Sequence, residues 1–124
     1  MAGAKGYRIL AVDDMPDNLF LLQAFLEAEG FEVEIASSGQ SALAKLAQSL
    51  PDLVLLDVMM PDMNGFEVTE EIRSCDRTQE LPILLISAHD EARLEKGCEI
   101  GANGYLRKPI DFDQLLSRIS ALTN

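Results

Sequence analysis

Polar residues follow four short apolar segments of the chain. The pair Asp13-Asp14 follows the first of these segments, Asp57 the second, Ser87 the third and Lys108 the last. If the segments are strands of one parallel sheet, their carboxyl ends lie at the same edge, which is where such sheets bind ligands. The sequence therefore predicts that these five side chains share one site.

The side chains in this set suit phosphoryl chemistry. Carboxylates crowded at one edge repel one another, which raises their pKa values unless a cation compensates. Carboxylate oxygens suit Mg²⁺, which takes one or two carboxylates together with waters and a phosphate oxygen. Lys108 adds a cation that can pair with a phosphate, the Ser87 hydroxyl can donate to one, and a carboxylate can act as nucleophile by forming an acyl phosphate. The set is typical of a phosphoryl-transfer site.

The elements that must position these residues are predicted from hydrophobic patterning. Residues 9–12, 53–56 and 83–86 are continuous apolar runs, which favour strands buried on both faces of a parallel sheet. Residues 31–35 alternate apolar side chains with Glu, which predicts an edge strand with one wet face. Residues 105–107 are a weaker strand candidate.

Apolar residues recur at helical spacing between these strands. Residues 16–29 form the first predicted helix, with a proline suited to its first position and Gly30 suited to its end. Asn64 with Glu67, and Asp111 with Gln114, resemble capping boxes. The other helical stripes are Leu43, Leu46, Ala47 and Leu50; Val68, Ile72 and Cys75; Leu94, Cys98 and Gly101; and Phe112, Leu115, Leu116, Ile119 and Leu122.

Five repeats of strand then helix predict an α/β fold, a doubly wound parallel sheet with helices on both faces. A length of 124 residues suits one domain. We expect a single domain over residues 1–124, with its core at about 7–123 and no room for an output module.

The composition excludes several classes of protein. Lys and Arg number 10 against 21 Asp and Glu, a net charge of −11, which argues against direct binding to nucleic acid or to an anionic membrane. A hydrophobic content of 48% is too high for a disordered acidic tail. No segment resembles a signal peptide or a membrane span, so we expect a cytoplasmic protein without membrane insertion. One His and two Cys without CxxC spacing argue against structural zinc.

The motifs together resemble those of response-regulator receiver domains of two-component systems. The matching segments are Asp13-Asp14, residues 57–65 (DVMMPDMNG), Ser87-Ala88 and Lys108-Pro109. The resemblance covers nearly the whole chain. It implies a flavodoxin-like (βα)5 fold with strand order 2-1-3-4-5, here as a stand-alone receiver domain.

The resemblance also implies a metal site and a phosphoacceptor. Asp57 would accept the phosphoryl group and would be a metal ligand. Asp14 would bind Mg²⁺ directly, Asp13 mainly through a water, and the backbone carbonyl of Met59 would supply another ligand. Mn²⁺ would substitute for Mg²⁺.

Further residues are expected to contact the phosphoryl group or to respond to it. Lys108, Ser87 and Ala88 would contact it. Ser87 would swing toward it and Tyr105 would rotate inward, changing the face formed by the fourth helix, fifth strand and fifth helix. The alternative for Tyr105 is a packed edge-strand residue without a switch role. We also expect a cis peptide between Lys108 and Pro109.

Two sets of residues carry weaker hypotheses. Met59 and His89 lie near the site and could tune the lifetime of the phosphate, although His89 could simply be an exposed loop residue. Pro16, Phe20 and Ile110 could form a docking surface for a kinase. The crowded apolar residues of the first helix are explained equally by tight packing.

The resemblance implies a phosphoryl donor, a sensor histidine kinase or a phosphotransfer protein, and an effector that the sequence does not identify. The protein would not be an enzyme beyond its own phosphorylation and dephosphorylation at Asp57. One alternative is an interaction module that is not phosphorylated. The other, a haloacid-dehalogenase-type hydrolase, is disfavoured because Met59 stands where that family has its acid/base Asp, and because no cap insertion is present.

Overall fold

A computed structural model describes residues 6–88 and 91–123 of the chain. Within these residues five strands alternate with five α-helices. The strands are β1 (Arg8–Val12), β2 (Glu32–Ala36), β3 (Leu53–Asp57), β4 (Ile83–Ser87) and β5 (Gly104–Arg107). The helices are α1 (Pro16–Ala28), α2 (Gly39–Gln48), α3 (Gly65–Ser74), α4 (Glu91–Ile100) and α5 (Phe112–Thr123), and a short 3-10 helix, Asp76–Thr78, follows α3. None of the described helices combines the length and the apolar character needed to span a membrane.

The strands form one parallel sheet in the order β2-β1-β3-β4-β5, as the sequence predicts. The three continuous apolar runs are the three central strands, and their side chains are buried on both faces. The alternating segment is the edge strand β2, in which Glu32 and Glu34 are exposed while Val33 and Ile35 are half-buried. A parallel order of this kind brings the end of every strand to one edge of the sheet.

Two hydrophobic clusters cover the two faces of the sheet. On one face, α1 contributes Leu22 and Leu26, and α5 contributes Leu115 and Ile119. On the other face, α2, α3 and α4 pack against the alternate strand residues, with Ile72 of α3 only 1% exposed. The sheet is therefore held from both sides, as the predicted crossovers require.

The helix ends agree in part with the sequence. The capping box of α3 is confirmed: the Glu67 N–H donates to Asn64 Oδ1 at 2.9 Å, and the Asn64 N–H donates to Glu67 Oε1 at 3.0 Å. Asp111 Oδ1 accepts the Gln114 N–H at 3.2 Å, which is the first half of the box predicted for α5. Gly30 follows the end of α1 with a positive φ of 98°, a conformation that glycine adopts without strain.

Several predicted boundaries are wrong by a residue or two. Strand β2 runs one residue later than expected, because Glu32, and not Phe31, is the first to pair with β1. Leu50 lies beyond the end of α2 and is 37% exposed, so it is not part of that helix's buried stripe. Cys75 caps α3 and is exposed. For Leu50 and Cys75, the last residue of the predicted apolar stripe lies past the end of the helix.

Gly65, the first residue of α3, packs directly against the end of β3. Its N–H donates to the Val58 carbonyl at 3.0 Å. A Cβ at this position would lie 2.7 Å from the Asp57 carbonyl oxygen and 2.8 Å from the Val58 Cα. Backbone atoms cannot move away as a flexible side chain can. The absence of a side chain at Gly65 therefore lets α3 begin immediately beside Asp57.

We expect Gly65→Ala to lower the free energy of unfolding by about 2–3 kcal/mol, because the new methyl group must displace backbone. Gly104→Ala is the matched control, since its Cβ would meet its nearest neighbour, Leu84 Cδ1, at an ordinary 3.4 Å. Urea denaturation followed by far-ultraviolet circular dichroism measures both. Equal effects of the two substitutions would contradict the close approach at Gly65.

Candidate functional site

The polar residues that follow the four apolar segments meet at the carboxyl edge of the sheet. Asp13 is the first residue after β1 and Lys108 the first after β5. Asp57 and Ser87 were expected just beyond their strands, but they are the last residues of β3 and β4. The ladder extends to them because Asp57 pairs with Ile86, and Ser87 with Arg107. Their backbones are thus fixed by strand pairing, and a loop does not carry them.

Three carboxylates come together at this edge. Asp13, Asp14 and Asp57 each offer an oxygen, and these oxygens lie within 4.8 Å of one another. Asp13 is 2% exposed and Asp57 is 3% exposed, while Asp14 is half-buried. Hard oxygen donors from two or three carboxylates, one of them open to solvent, fit a divalent cation that keeps some of its waters.

Lys108 brings a positive charge to the site. Its Nζ lies 3.2 Å from Asp57 Oδ1 and 3.5 Å from Asp13 Oδ2. The Lys108 N–H donates to the Ser87 carbonyl at 2.9 Å, which ties the start of this loop to β4. The peptide bond between Lys108 and Pro109 is cis, as expected. One ammonium group therefore faces two buried carboxylates and offsets only part of their charge.

The charge balance leaves Asp57 in an unfavourable environment when it is ionised. Burial, and then the charge of Asp13, raises the pKa of Asp57 from 3.8 to about 6, against the opposing effect of Lys108. Asp57 Oδ1 forms an ion pair with Lys108 Nζ at 3.2 Å, and among the described residues no other group donates a hydrogen bond to this oxygen. A buried carboxylate oxygen with no further donor is costly. Such groups mark candidate functional sites.

Asp13, in contrast, is well hydrogen-bonded. Its Oδ1 accepts the Met15 N–H at 2.9 Å, and its Oδ2 accepts Asn18 Nδ2 at 3.2 Å. Asn18 is not among the site residues that the sequence motifs predict. The sequence feature that could have identified it is an amide side chain five residues after Asp13, in the first turn of the helix that begins at Pro16.

The remaining phosphoryl-contact and switch candidates occupy different environments. Ser87 is fully buried at the end of β4, and Ala88, the next residue, is exposed. Tyr105 on β5 is half-buried and packs against one of the two core clusters. Met59 is 57% exposed in the loop after β3. His89 lies outside the described residues.

Helix α1 presents two faces. Leu19, Leu22 and Leu26 are buried, so tight packing explains part of its apolar character. Phe20, however, is 62% exposed and Leu21 is 57% exposed. Packing alone therefore does not account for this helix.

A cavity of about 260 Å³ separates α1 from the loop after β5. Its lining is Asn18, Leu21, Leu22, Lys108, Pro109, Ile110 and Phe112. Ile110, one of the expected docking residues, thus lines the cavity. Pro16 and Phe20, the other two, are exposed on α1.

The raised pKa of Asp57 has a consequence for stability. Between its unfolded value of 3.8 and its folded value of about 6, the folded state binds more protons than the unfolded state. The contribution of Asp57 to stability therefore falls as the pH rises through this range. In buffer with EDTA, we expect Asp57→Asn to gain stability relative to the wild type by roughly 2 kcal/mol between pH 4 and pH 7.

Urea denaturation at fixed pH steps measures this difference. Asp62→Asn, which removes an exposed carboxylate from the following loop, is the control and should follow the wild-type profile. Parallel profiles for Asp57→Asn and the wild type would show that burial does not raise this pKa.

Comparison with known proteins connects this geometry to one family. The chain is 46% identical over 117 residues to the response regulator PleD of Caulobacter vibrioides, covering 94% of this chain and 26% of PleD. It is 38% identical over 116 residues to the protein PilH of Pseudomonas aeruginosa, covering 93% of this chain and 96% of PilH. The chain thus spans about a quarter of the length of PleD but nearly all of PilH.

A solved structure gives the same result. The response regulator TrrA of Thermotoga maritima, in complex with Mg²⁺-BeF, superposes with a TM-score of 0.84 at 36% identity, covering 96% of this chain and 99% of that one. The family model for the response regulator receiver domain matches residues 9–120. With the parallel sheet in the order 2-1-3-4-5 and the acidic cluster at its carboxyl edge, this match shows that the chain belongs to the receiver-domain family of two-component response regulators.

Proposed function

We propose that this chain accepts a phosphoryl group on Asp57 in a Mg²⁺-dependent reaction, and that the phosphorylated form binds its partners differently. The donor would be the phosphohistidine of a sensor kinase or of a phosphotransfer protein. One observation carries the proposal. Asp57 is 3% exposed, has no hydrogen-bond donor at Oδ1 other than Lys108 among the described residues, and lies between two further carboxylates and the ammonium of Lys108.

The residues present fit a magnesium ion. Asp14 and Asp57 would be direct ligands, and Asp13 would act mainly through a water. The backbone carbonyl of Met59 would be the remaining protein ligand. When bound, Mg²⁺, or Mn²⁺ in its place, neutralises the carboxylates and the oxygens of the transferred group. The complex of TrrA with Mg²⁺-BeF supports this assignment.

Phosphoryl transfer then needs little from the protein besides positioning and charge. An Asp57 carboxylate oxygen attacks the phosphorus atom and forms the P–O bond of an acyl phosphate. The P–N bond of the phosphohistidine breaks, and the imidazole nitrogen leaves with the electron pair and takes a proton from solvent. Asp57 must be ionised to attack. Its pKa of about 6 leaves it ionised at neutral pH even before a metal binds.

Three residues would contact the new phosphoryl group. Lys108, already 3.2 Å from Asp57 Oδ1, would pair with a phosphoryl oxygen. The Ser87 hydroxyl and the Ala88 N–H, at the end of the neighbouring strand β4, would donate to others. The phosphoryl group adds about −1.5 to −2 charge at neutral pH, so these donors gain a stronger partner than Asp57 alone.

The switch would be a shift between two populations of the domain. Movement of Ser87 toward the phosphoryl group would open space at the end of β4, and Tyr105 would rotate inward to fill it. A partner responds to this only if its affinity for the two states differs. We place the changed surface on the α4, β5 and α5 face.

The surface of α1 suits the phosphoryl donor. Phe20 and Leu21 are exposed apolar side chains of α1, and Leu21 lines the same cavity as Ile110. Pro16 is the first residue of this helix. Exposed apolar patches of this kind mark interaction sites. We propose that the docking surface consists of Pro16, Phe20 and Ile110.

The wider organisation follows from the same proposal. We propose one receiver domain over residues 1–124 that acts in the cytoplasm, neither binds nucleic acid directly nor inserts into a membrane, and catalyses no reaction besides its own phosphorylation and dephosphorylation. The net charge of −11 supports the absence of direct binding to nucleic acid. Tuning of the phosphate lifetime by Met59 and His89 stays a prediction.

Phosphorylation can be tested directly. With acetyl phosphate or phosphoramidate and Mg²⁺, we expect the intact mass of the chain to rise by one phosphoryl group. The gain should disappear with EDTA, because the carboxylates then stay uncompensated, and in Asp57→Asn, because the nucleophile is gone. Asp62→Asn is the control and should gain the same mass as the wild type.

The same measurement separates the alternatives. No gain with either small donor or with a phosphohistidine protein would favour an interaction module that is not phosphorylated. A gain that survives Asp57→Asn would place the acceptor elsewhere.

Docking on α1 makes a separate prediction. The donor is a phosphotransfer domain that phosphorylates the wild type. Phe20→Ala should lower the rate of this transfer about tenfold, the loss typical of an aromatic anchor that becomes buried on binding. The rate with acetyl phosphate should not change, since this small donor needs no docking surface. Leu50→Ala, which truncates an exposed apolar residue outside α1, is the control. Equal slowing with both donors would show that Phe20 acts on the site and not on the partner.

A further inference from the structure

The Asp13 carboxylate is held by groups from three parts of the chain. The Met15 N–H, in the loop after β1, occupies Oδ1 at 2.9 Å. Asn18 Nδ2, in the first turn of α1, donates to Oδ2 at 3.2 Å, and Lys108 Nζ reaches the same oxygen at 3.5 Å from the end of β5. Asp13 is 2% exposed, so these protein groups largely replace water as its partners. The direction of this carboxylate therefore depends on them.

The two donors to Oδ2 are not equivalent. Lys108 is shared, because its Nζ also lies 3.2 Å from Asp57 Oδ1. If Asp57 is phosphorylated as proposed, Lys108 pairs with the phosphoryl group, and its hold on Asp13 weakens. Asn18 makes no such second contact at the acidic cluster among the described residues. Asn18 is thus the side-chain donor that can stay on Oδ2 in both states.

The chemistry of an amide suits this position. The three carboxylates repel one another, and a buried carboxylate without a donor would turn away from its neighbours. A cationic donor in place of Asn18 would orient Asp13 but would also compete with a divalent ion for its charge. A neutral N–H orients the carboxylate and leaves its negative charge available. Partners of this kind fix metal-binding groups in other proteins.

We infer that Asn18 is a positioning residue, which orients the Asp13 carboxylate toward the metal without touching the metal or the phosphoryl group. The inference rests on the proposed function, because it assumes that the acidic cluster binds Mg²⁺. Asn18 also lines the cavity between α1 and the loop after β5. A partner in that cavity would therefore contact the residue that holds a carboxylate of the metal site.

The test is a Mg²⁺ titration of the full chain at constant ionic strength, followed by NMR chemical shifts. We expect the Kd for Mg²⁺ to rise by about tenfold in Asn18→Ala, the lower end of the loss typical of such partners. Asn18→Leu keeps the branched shape and the number of side-chain heavy atoms of asparagine, and should show the same rise without leaving a void. Gln23→Ala removes another amide of α1, one bonded to Glu27 Oε2 at 3.4 Å, and should leave the Kd unchanged.

The rate of phosphorylation by acetyl phosphate gives a second readout. At limiting Mg²⁺ the Asn18 variants should be slower than the wild type. At saturating Mg²⁺ their rates should return to within about twofold of the wild-type rate, because a tenfold weaker site is then filled again. A purely structural role would lower the melting temperature in EDTA but would not change the concentration of Mg²⁺ that gives half the maximal rate.

Each outcome decides one question. If the wild type binds Mg²⁺ and both Asn18 variants bind it equally well, the inference about Asn18 is wrong and the proposed function stands. If the Kd stays constant but the rate at saturating Mg²⁺ falls, Asn18 acts on another step and the inference is also wrong. If the wild type binds no Mg²⁺, the proposed function fails instead.

Discussion

The repulsion between buried carboxylates at one edge of the sheet is the constraint that organises this molecule. Asp13 and Asp57 are almost inaccessible to water, and the single ammonium of Lys108 contacts both. Burial, and then the negative charge of Asp13, raises the pKa of Asp57 to about 6. A domain bears the cost of such burial and repulsion only when the surrounding structure fixes the groups in place. Here strand pairing fixes Asp57, and the hydrogen bonds of Met15 and Asn18 fix Asp13.

The scaffold supplies that rigidity. The three central strands are buried on both faces, so the backbone at their ends has little freedom. Gly65 brings the first turn of α3 against the carbonyl of Asp57, where any side chain would collide with backbone. The site is therefore assembled from the ends of rigid elements, although several of its residues lie in loops. The apolar core therefore supplies the stability of the fold, and the polar side chains at the carboxyl edge of the sheet supply its chemistry.

Only a few of the acidic residues belong to the candidate site, and others lie on the solvated surface. Of the 21 acidic residues, three form the cluster at the edge of the sheet. Others, such as Glu32 and Glu34 on β2, lie on the solvated face of an edge strand. The net charge of −11 thus bears mainly on solubility. Helix α1 likewise has two roles, since Leu22 and Leu26 pack against the sheet while Phe20 is exposed to solvent.

The sequence by itself determined the alternation of strands and helices, the edge character of β2, the capping box at Asn64 and the polar residues that end the strands. These features are local, and hydrophobic periodicity and capping chemistry reveal them. The order of the strands came from the family resemblance. Only the tertiary structure decided that Lys108 reaches a carboxylate 95 residues earlier, that Asp57 Oδ1 has no donor besides this lysine among the described residues, and that Asn18 holds Asp13. It also decided which apolar residues of α1 are buried. Distances between side chains, and the burial that shifts a pKa, depend on how distant segments pack, and no pattern along the chain records them.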